Sequence, residues 1–206
     1  MSGFDVIARD WDKDKMHMER SLAIAGELQK MIPVTHVMKA LEYGAGTGIL
    51  SFLLKDHFYD ITLMDNSREM INVCLEKCEY HQTKHIHPLW LDLEHTSFDD
   101  KFDIIYNQIV LHHVEGIEAM IDRFYNLLNP GGYVAIADLY PEDGSFHGID
   151  VKVHLGFDPN EMANMLRKVG FKNIEHKTCF EIKRESGLKF PVFLLTAQKD
   201  IEIVRN

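Results

Sequence analysis

Leu41-Glu42-Tyr43-Gly44-Ala45-Gly46-Thr47-Gly48-Ile49-Leu50 decides the fold. Residues 37–43 are a short apolar run that reads as a buried strand, and residues 49–56 read as a helix. Glycines at 44, 46 and 48 let the chain bend sharply between the two with no Cβ in the way. A ligand can then lie against the main chain, near the N–H donors that open the helix. Open α/β sheets place ligands beyond the carboxyl ends of their strands, where this bend stands.

The next strand, residues 60–65, ends in Ile61-Thr62-Leu63-Met64-Asp65. A carboxylate there can accept hydrogen bonds from both hydroxyls of a ribose. Asp65 could instead cap the helix that starts near Ser67. The glycine bend, its strand context and this acid together imply a cofactor containing a nucleoside.

Outward from this core, helices and strands alternate. Met18, Leu22, Ala25, Leu28 and Ile32 recur at spacings of three and four, which predicts a helix over 13–32, ended by Pro33. Residues 67–79 and 117–128 read as helices. Asp158-Pro159-Asn160-Glu161 opens another, with Asp158 as N-cap, Pro159 in the first turn and Gly170 past the end. Strands are expected over 86–91, 102–106, 133–138, 174–184 and 192–199, with Asn129-Pro130-Gly131-Gly132 as a turn. Alternation of this kind gives a mostly parallel sheet with helices on both faces. Only a short loop around Glu185-Ser186-Gly187 joins the last two strands, so they must run antiparallel. The expected fold is α/β, seven-stranded, with one antiparallel strand. A single domain covers 1–206: an N-terminal helical lid segment (1–33), a core (34–199) and a tail (200–206).

Composition narrows the functions. The chain has 206 residues, 22 Lys and Arg against 32 Asp and Glu, and a formal net charge of −10. No basic stripe is present, so no nucleic-acid partner is expected. No apolar run is long enough to span a bilayer and no signal-peptide core stands at the N-terminus. A cytoplasmic location with no membrane partner is therefore expected. Cys74, Cys78 and Cys179 are too few and too sparse for a disulfide framework and read as small buried side chains. Among twelve histidines, His81, His85 and His87 cluster, but no Cys or carboxylate completes a ligand set, and no metal is expected.

These residues resemble the class I S-adenosylmethionine (SAM)-dependent methyltransferases. Glu42 stands two residues before Gly44, where that family carries an acid. Asp92-Leu93, Phe102-Asp103-Ile104-Ile105-Tyr106-Asn107, Leu111-His112-His113-Val114, Leu128-Asn129-Pro130-Gly131-Gly132-Tyr133 and Lys168-Val169-Gly170-Phe171 resemble later motifs. The match covers about 37–199. The nearest flavour is the small type 11 group, which includes quinone-biosynthesis C-methyltransferases. Phe4-Asp5-Val6-Ile7-Ala8-Arg9-Asp10-Trp11-Asp12 resembles that group's N-terminal element.

The resemblance implies the Rossmann-like methyltransferase fold, SAM as cofactor and methyl transfer to an acceptor, with a small molecule expected. It implies that Gly44, Gly46 and Gly48 face the methionine part, with Glu42 supporting the loop. Asp65 would hold the ribose, Asn66 and Asp92 the adenine with Leu93 on its face, and Asn107 the methionine end. Asp92 read alone is also a turn residue. His112, His147 and His154 are the candidate bases, because loops after the fourth and fifth strands often meet the acceptor; each also reads as an ordinary loop histidine. Trp11 and the helix after it either form a lid or pack on the body. An NAD(P)-binding oxidoreductase is the alternative, but position 49 is Ile where a GxGxxG spacing needs Gly. Tyr80 and Lys84, spaced like a dehydrogenase pair, lie between strands two and three, away from where that chemistry needs them. A non-catalytic SAM-binding regulatory protein is the other alternative.

Overall fold

A computed structural model describes residues 3–147 and 153–201. Its strands form one seven-stranded sheet in the order β3-β2-β1-β4-β5-β7-β6. The chain divides into two compact units, residues 1–98 and 99–206.

In the first unit, α1 (Gly3–Ile7) and a 3-10 turn (Ala8–Lys13) precede α2 (Lys15–Met31). The Asp14 carboxylate accepts the Met16 N–H at 2.9 Å, which sets the start of α2 two residues later than the apolar periodicity suggests. Strand β1 (Lys39–Tyr43) pairs in parallel with β2 (Asp60–Asp65), and β2 with β3 (Ile86–Trp90). Val37, expected in β1, is instead 82% exposed before the strand begins. Ala40, Leu41, Ile61, Leu63 and Met64 are fully buried, so β1 and β2 are covered on both faces, as parallel strands require. Helices α3 (Ile49–Leu54) and α4 (Arg68–His81) follow β1 and β2.

The second unit holds β4 (Phe102–Gln108), α5 (Ile117–Leu127), β5 (Leu128–Leu139), α6 (Pro159–Val169), β6 (Phe171–Lys183) and β7 (Lys189–Lys199). Strands β4 and β5 are parallel, and β7 runs antiparallel to both β5 and β6. The short connection turns at Gly187, with φ +86° and its N–H donated to the Arg184 carbonyl. Helix α6 starts as its sequence dictates: the Asp158 side chain accepts the Asn160 N–H at 2.7 Å. It stops at Gly170, whose φ of +118° a side chain would resist.

Two further expectations need correction. Asn129-Pro130-Gly131-Gly132 is a bulge inside β5 and not a turn before it, because Phe102 pairs with Leu128 and Ile104 with Tyr133. The Asn129 amide donates to the Asp103 carboxylate at 2.8 Å and secures the irregularity. Strand β6 begins at Phe171, three residues early, since its ladder with β7 continues past an irregularity that contains Asn173 at φ +49°. Of the expected tail, 202–206 lie outside the described residues, as do 148–152 of the loop after β5.

Candidate functional site

The glycine bend is tied to the end of β2 by one side chain. Gly44, Gly46 and Gly48 all have positive φ (+63°, +55° and +77°). The Gly46 N–H donates to Asp65 Oδ2 at 2.7 Å, and Ser67 N–H donates to Asp65 Oδ1 at 2.7 Å. Ser67 then caps α4 through Met70 N–H at 3.2 Å. The Asn66 N–H is a third donor to this carboxylate, which keeps acceptor capacity for a ligand hydroxyl. Burial raises the Asp65 pKa above the usual carboxylate value, opposed by the Ser67 and Gly46 N–H groups. Asp65 is thus both the bracket of the loop and an acceptor beside it.

The glycines do different work. A Cβ on Gly48 would lie 2.8 Å from Leu63 Cδ1 and 3.3 Å from Cys74 Sγ, so this glycine lets α3 pack against β2 and α4. A Cβ on Gly46 would meet only Met70 Sδ, at 4.0 Å. The space beside Gly46 is the space a ligand can use.

A cavity of about 430 Å³, lined by Asn66, Trp90, Leu91, Asp92 and Thr96, lies off the ends of β2 and β3. The Trp90 indole N–H donates to the Asn66 carbonyl at 3.1 Å, and the Arg68 guanidinium sits 5.2 Å over the indole. Asn66 and Asp92 therefore line the same cavity. The Asp92 carboxylate also accepts Glu94 N–H at 2.9 Å and faces His95 Nδ1 at 3.0 Å, so it shapes its turn as well. Leu93 is 2% exposed, in the core, while Leu91 lines the cavity. Trp90, Leu91 and Thr96 were not singled out in the sequence; the end of the expected strand 86–91 is the signal that could have pointed to the first two. In the second unit, Asn107 is 1% exposed and both atoms of its amide have no hydrogen-bond partner among the described residues. That costs about 1–3 kcal/mol per group unless something binds them.

The second unit also gathers histidines. His112 and Asp138 are fully buried; His112 Nδ1 is 2.8 Å from Asp138 Oδ1 and its Nε2 is 2.9 Å from His147 Nε2. The carboxylate only accepts, so Nδ1 carries hydrogen and neutral His112 presents a lone pair at Nε2. Burial lowers the pKa of His147, and takes that of His113 down to about 4, with His112 nearby adding to both shifts. His154 is used differently: its Nε2 donates to the Val114 carbonyl at 3.0 Å and its backbone N–H to the His112 carbonyl at 2.8 Å. His85 and His87 have separate partners, the Lys55 carbonyl and the Asp60 carboxylate.

Comparison with known proteins follows the same line. The methyltransferase domain family matches residues 16–176. This chain belongs to that family. An uncharacterized methyltransferase of Schizosaccharomyces pombe is 26% identical over 67% of this chain and 55% of its own length. Phosphoethanolamine N-methyltransferase 3 of Arabidopsis thaliana is 28% identical over 72% of this chain and 31% of its own. The chain thus spans about half or less of these relatives. Haemonchus contortus phosphoethanolamine N-methyltransferase 2, solved with S-adenosyl-L-methionine, shares the fold with a TM-score of 0.71 at 17% identity, over 88% of this chain and 52% of that one.

In this methyltransferase domain the N-terminal segment is laced to the glycine bend. Asp12 accepts from the Thr47 hydroxyl and, at 2.9 Å, from Lys77, which also donates to the Thr47 carbonyl at 2.8 Å. Asp5 accepts from the Ser67 hydroxyl at 2.6 Å. Trp11 stacks on His17 at 4.0 Å and meets Phe4 edge-on. The sequence pointed to Trp11; the working contacts are those of Asp5 and Asp12, whose partners are distant in the chain.

Glu42 lies beneath the bend, fully buried. Its Oε2 accepts the Ser51 hydroxyl and, at 3.1 Å, the Ser51 N–H, while Oε1 has no partner among the described residues. Burial pushes its pKa up to about 8, against the Ser51 hydrogen bonds and the Lys77 charge. The folded form therefore holds a proton that the unfolded chain releases near the ordinary 4.5. Stability from this group is full below about pH 4.5 and declines as pH rises toward 8. Glu42→Gln keeps the acceptor and removes the titration. Its melting temperature is expected to gain on the native chain steadily between pH 6 and 8 and to level off above. Parallel melting curves across that range would place the titration elsewhere.

Among the described residues, no helix is long and apolar enough to cross a membrane.

Proposed function

We propose that this chain transfers a methyl group from SAM to a small-molecule acceptor. The observation that carries the reading is the Asp65 carboxylate clasping Gly46 N–H beside a cavity lined by Asn66, Trp90, Leu91, Asp92 and Thr96. When bound, SAM supplies a methyl carbon activated on a sulfonium, so the protein's task is chiefly alignment. Asp65 accepts the ribose hydroxyls. Asp92 and Asn66 meet the polar edge of adenine, with Trp90 and Leu91 as apolar walls. Gly44 and Gly46 admit the methionine part to the main chain. Glu42 supports the bend from below through Ser51. In the second unit the Asn107 amide, which has no hydrogen-bond partner among the described residues, offers a donor and an acceptor to a ligand.

His112 is the candidate base. Asp138 holds its Nδ1–H, which orients Nε2 and steadies the imidazolium that forms when Nε2 takes a proton. At 2.9 Å the hydrogen between the two Nε2 atoms is His147's, so His147 would take a proton from the acceptor at Nδ1 while its Nε2–H passes to His112. His154 shapes the same loop through Val114 and His112. A small acceptor is favoured by the net charge of −10 and by the absence of a basic stripe in the sequence.

Isothermal titration tests the cofactor. SAM and its demethylated product are expected to bind one per chain with micromolar affinity, and NAD to give no heat. Heat with NAD and none with SAM would reverse the assignment to an oxidoreductase. Tritiated methyl transfer into a size-fractionated cell extract then reads the acceptor class. Label in the small-molecule fraction is expected. Label in protein or RNA overturns that part, and no label in any fraction favours a non-catalytic SAM-binding protein.

A further inference from the structure

Three imidazoles and one buried carboxylate in the second unit meet the requirements of a site for a transition-metal ion. The side-chain nitrogens of His112, His113 and His147 that could ligate an ion all lie within 4.8 Å of one another. Their rings stand 4.2 Å (His112–His113), 4.9 Å (His112–His147) and 4.9 Å (His113–His147) apart between centroids. Nitrogens about 2.0–2.1 Å from a tetrahedral zinc are roughly 3.3 Å from one another. His112 Nε2 and His147 Nε2, 2.9 Å apart, need to separate only slightly to accept an ion between them.

The buried partner supplies the second argument. Ligating histidines characteristically give their other ring N–H to a carboxylate, which fixes the tautomer and raises basicity at the metal-facing nitrogen. Asp138 does this for His112: Oδ1 takes Nδ1–H at 2.8 Å, and Oδ2 takes the His112 backbone N–H at 3.3 Å. Asp138 Oδ1 also accepts the Leu139 N–H at 2.8 Å, so the carboxylate is locked to β5. The His112 lone pair is thereby aimed at His147. The loop that carries His147 is held in turn by Glu142, whose Oε2 accepts Gly144 N–H at 2.9 Å and Phe146 N–H at 3.0 Å.

We infer that His112, His113 and His147 bind one borderline-soft divalent cation of the zinc class, with Asp138 orienting His112 from behind. Three imidazoles suit zinc, cobalt, nickel or copper and are a poor set for magnesium or calcium. The sequence led to no expected metal because its only visible cluster was His81, His85 and His87; the fold assembles a different one from two segments. An ion at this site occupies the His112 Nε2 lone pair, so metal binding and proton acceptance there exclude each other.

The test uses the full chain without SAM. Zn2+ is titrated calorimetrically at fixed pH, and Co2+ is followed by its visible d–d absorption and by hyperfine-shifted imidazole N–H signals in proton NMR. One equivalent of Zn2+, a tetrahedral-type Co2+ spectrum and signals from three histidines are expected. Losing the carboxylate that holds a ligand's other ring N–H typically weakens a site about 10–100-fold, so Asp138→Asn is expected in that range and His113→Ala or His147→Ala at more than about 100-fold. His85→Ala/His87→Ala is expected to change nothing. No d–d absorption in the native chain overturns the site without recourse to any variant. Unchanged Zn2+ affinity in a folded His113→Ala/His147→Ala chain overturns it equally. SAM titrated separately reads the cofactor assignment, which involves none of these side chains.

Discussion

Asp65→Ala is expected to raise the dissociation constant for SAM by about 100-fold or more. Hydrogen bonds to a charged acceptor contribute about 1.5–3 kcal/mol each, and a ribose offers two. The same change removes the acceptors for Gly46 N–H and Ser67 N–H, so the ligand-free chain should also melt earlier. The two effects separate by comparison with Gly46→Ala. That variant keeps Asp65 and places its methyl group where only Met70 Sδ, 4.0 Å away, is near. Its fold should lose about 1–2 kcal/mol, the cost of a side chain at positive φ, while its SAM affinity falls steeply because the methyl occupies ligand space. Titration of both variants checks this. Native SAM affinity in a folded Asp65→Ala chain would take Asp65 out of the ribose site and leave it as a bracket of the bend alone.

Gly48→Ala is expected to give the largest loss of stability among the loop glycines. Its φ of +77° costs about 1–2 kcal/mol for any L side chain. Its Cβ would stand 2.8 Å from Cδ1 of the fully buried Leu63, so that side chain must shift within the core. Overpacking of this kind adds about 1–3 kcal/mol. For a domain of this size each kcal/mol moves the melting temperature by about 2–4 °C, so a fall of roughly 5–20 °C is expected by calorimetry or circular dichroism. Equal melting temperatures for Gly46→Ala and Gly48→Ala would refute the division of labour between ligand glycine and packing glycine.

The glycine bend, the acid ending the next strand and the final hairpin were legible because each depends on residues adjacent in sequence. Glycine spacing reports backbone freedom, and a carboxylate at a strand end reports a position along the sheet. The Asn129-Pro130-Gly131-Gly132 bulge was read as a turn because the local chemistry of the two is the same; only the ladder between β4 and β5 tells them apart. Leu91 and Leu93 stand just past β3, where one lines the cavity and the other is 2% exposed. Which of the two faces the cavity is settled by packing.

By itself the sequence determined the α/β class, the reversed β7, the site of the bend and Asp65 as its companion, since these follow from periodicity, chain connectivity and the stereochemistry of glycine. Only the tertiary structure decided that Asp12 and Asp5 are the side chains lacing the N-terminal segment to that bend, and that Gly48 serves packing. It alone joined His112 and His113 to His147 and set Asp138 behind them. Side chains that meet through space leave no spacing in the chain to read, because their encounter depends on how loops from successive strands close over one another.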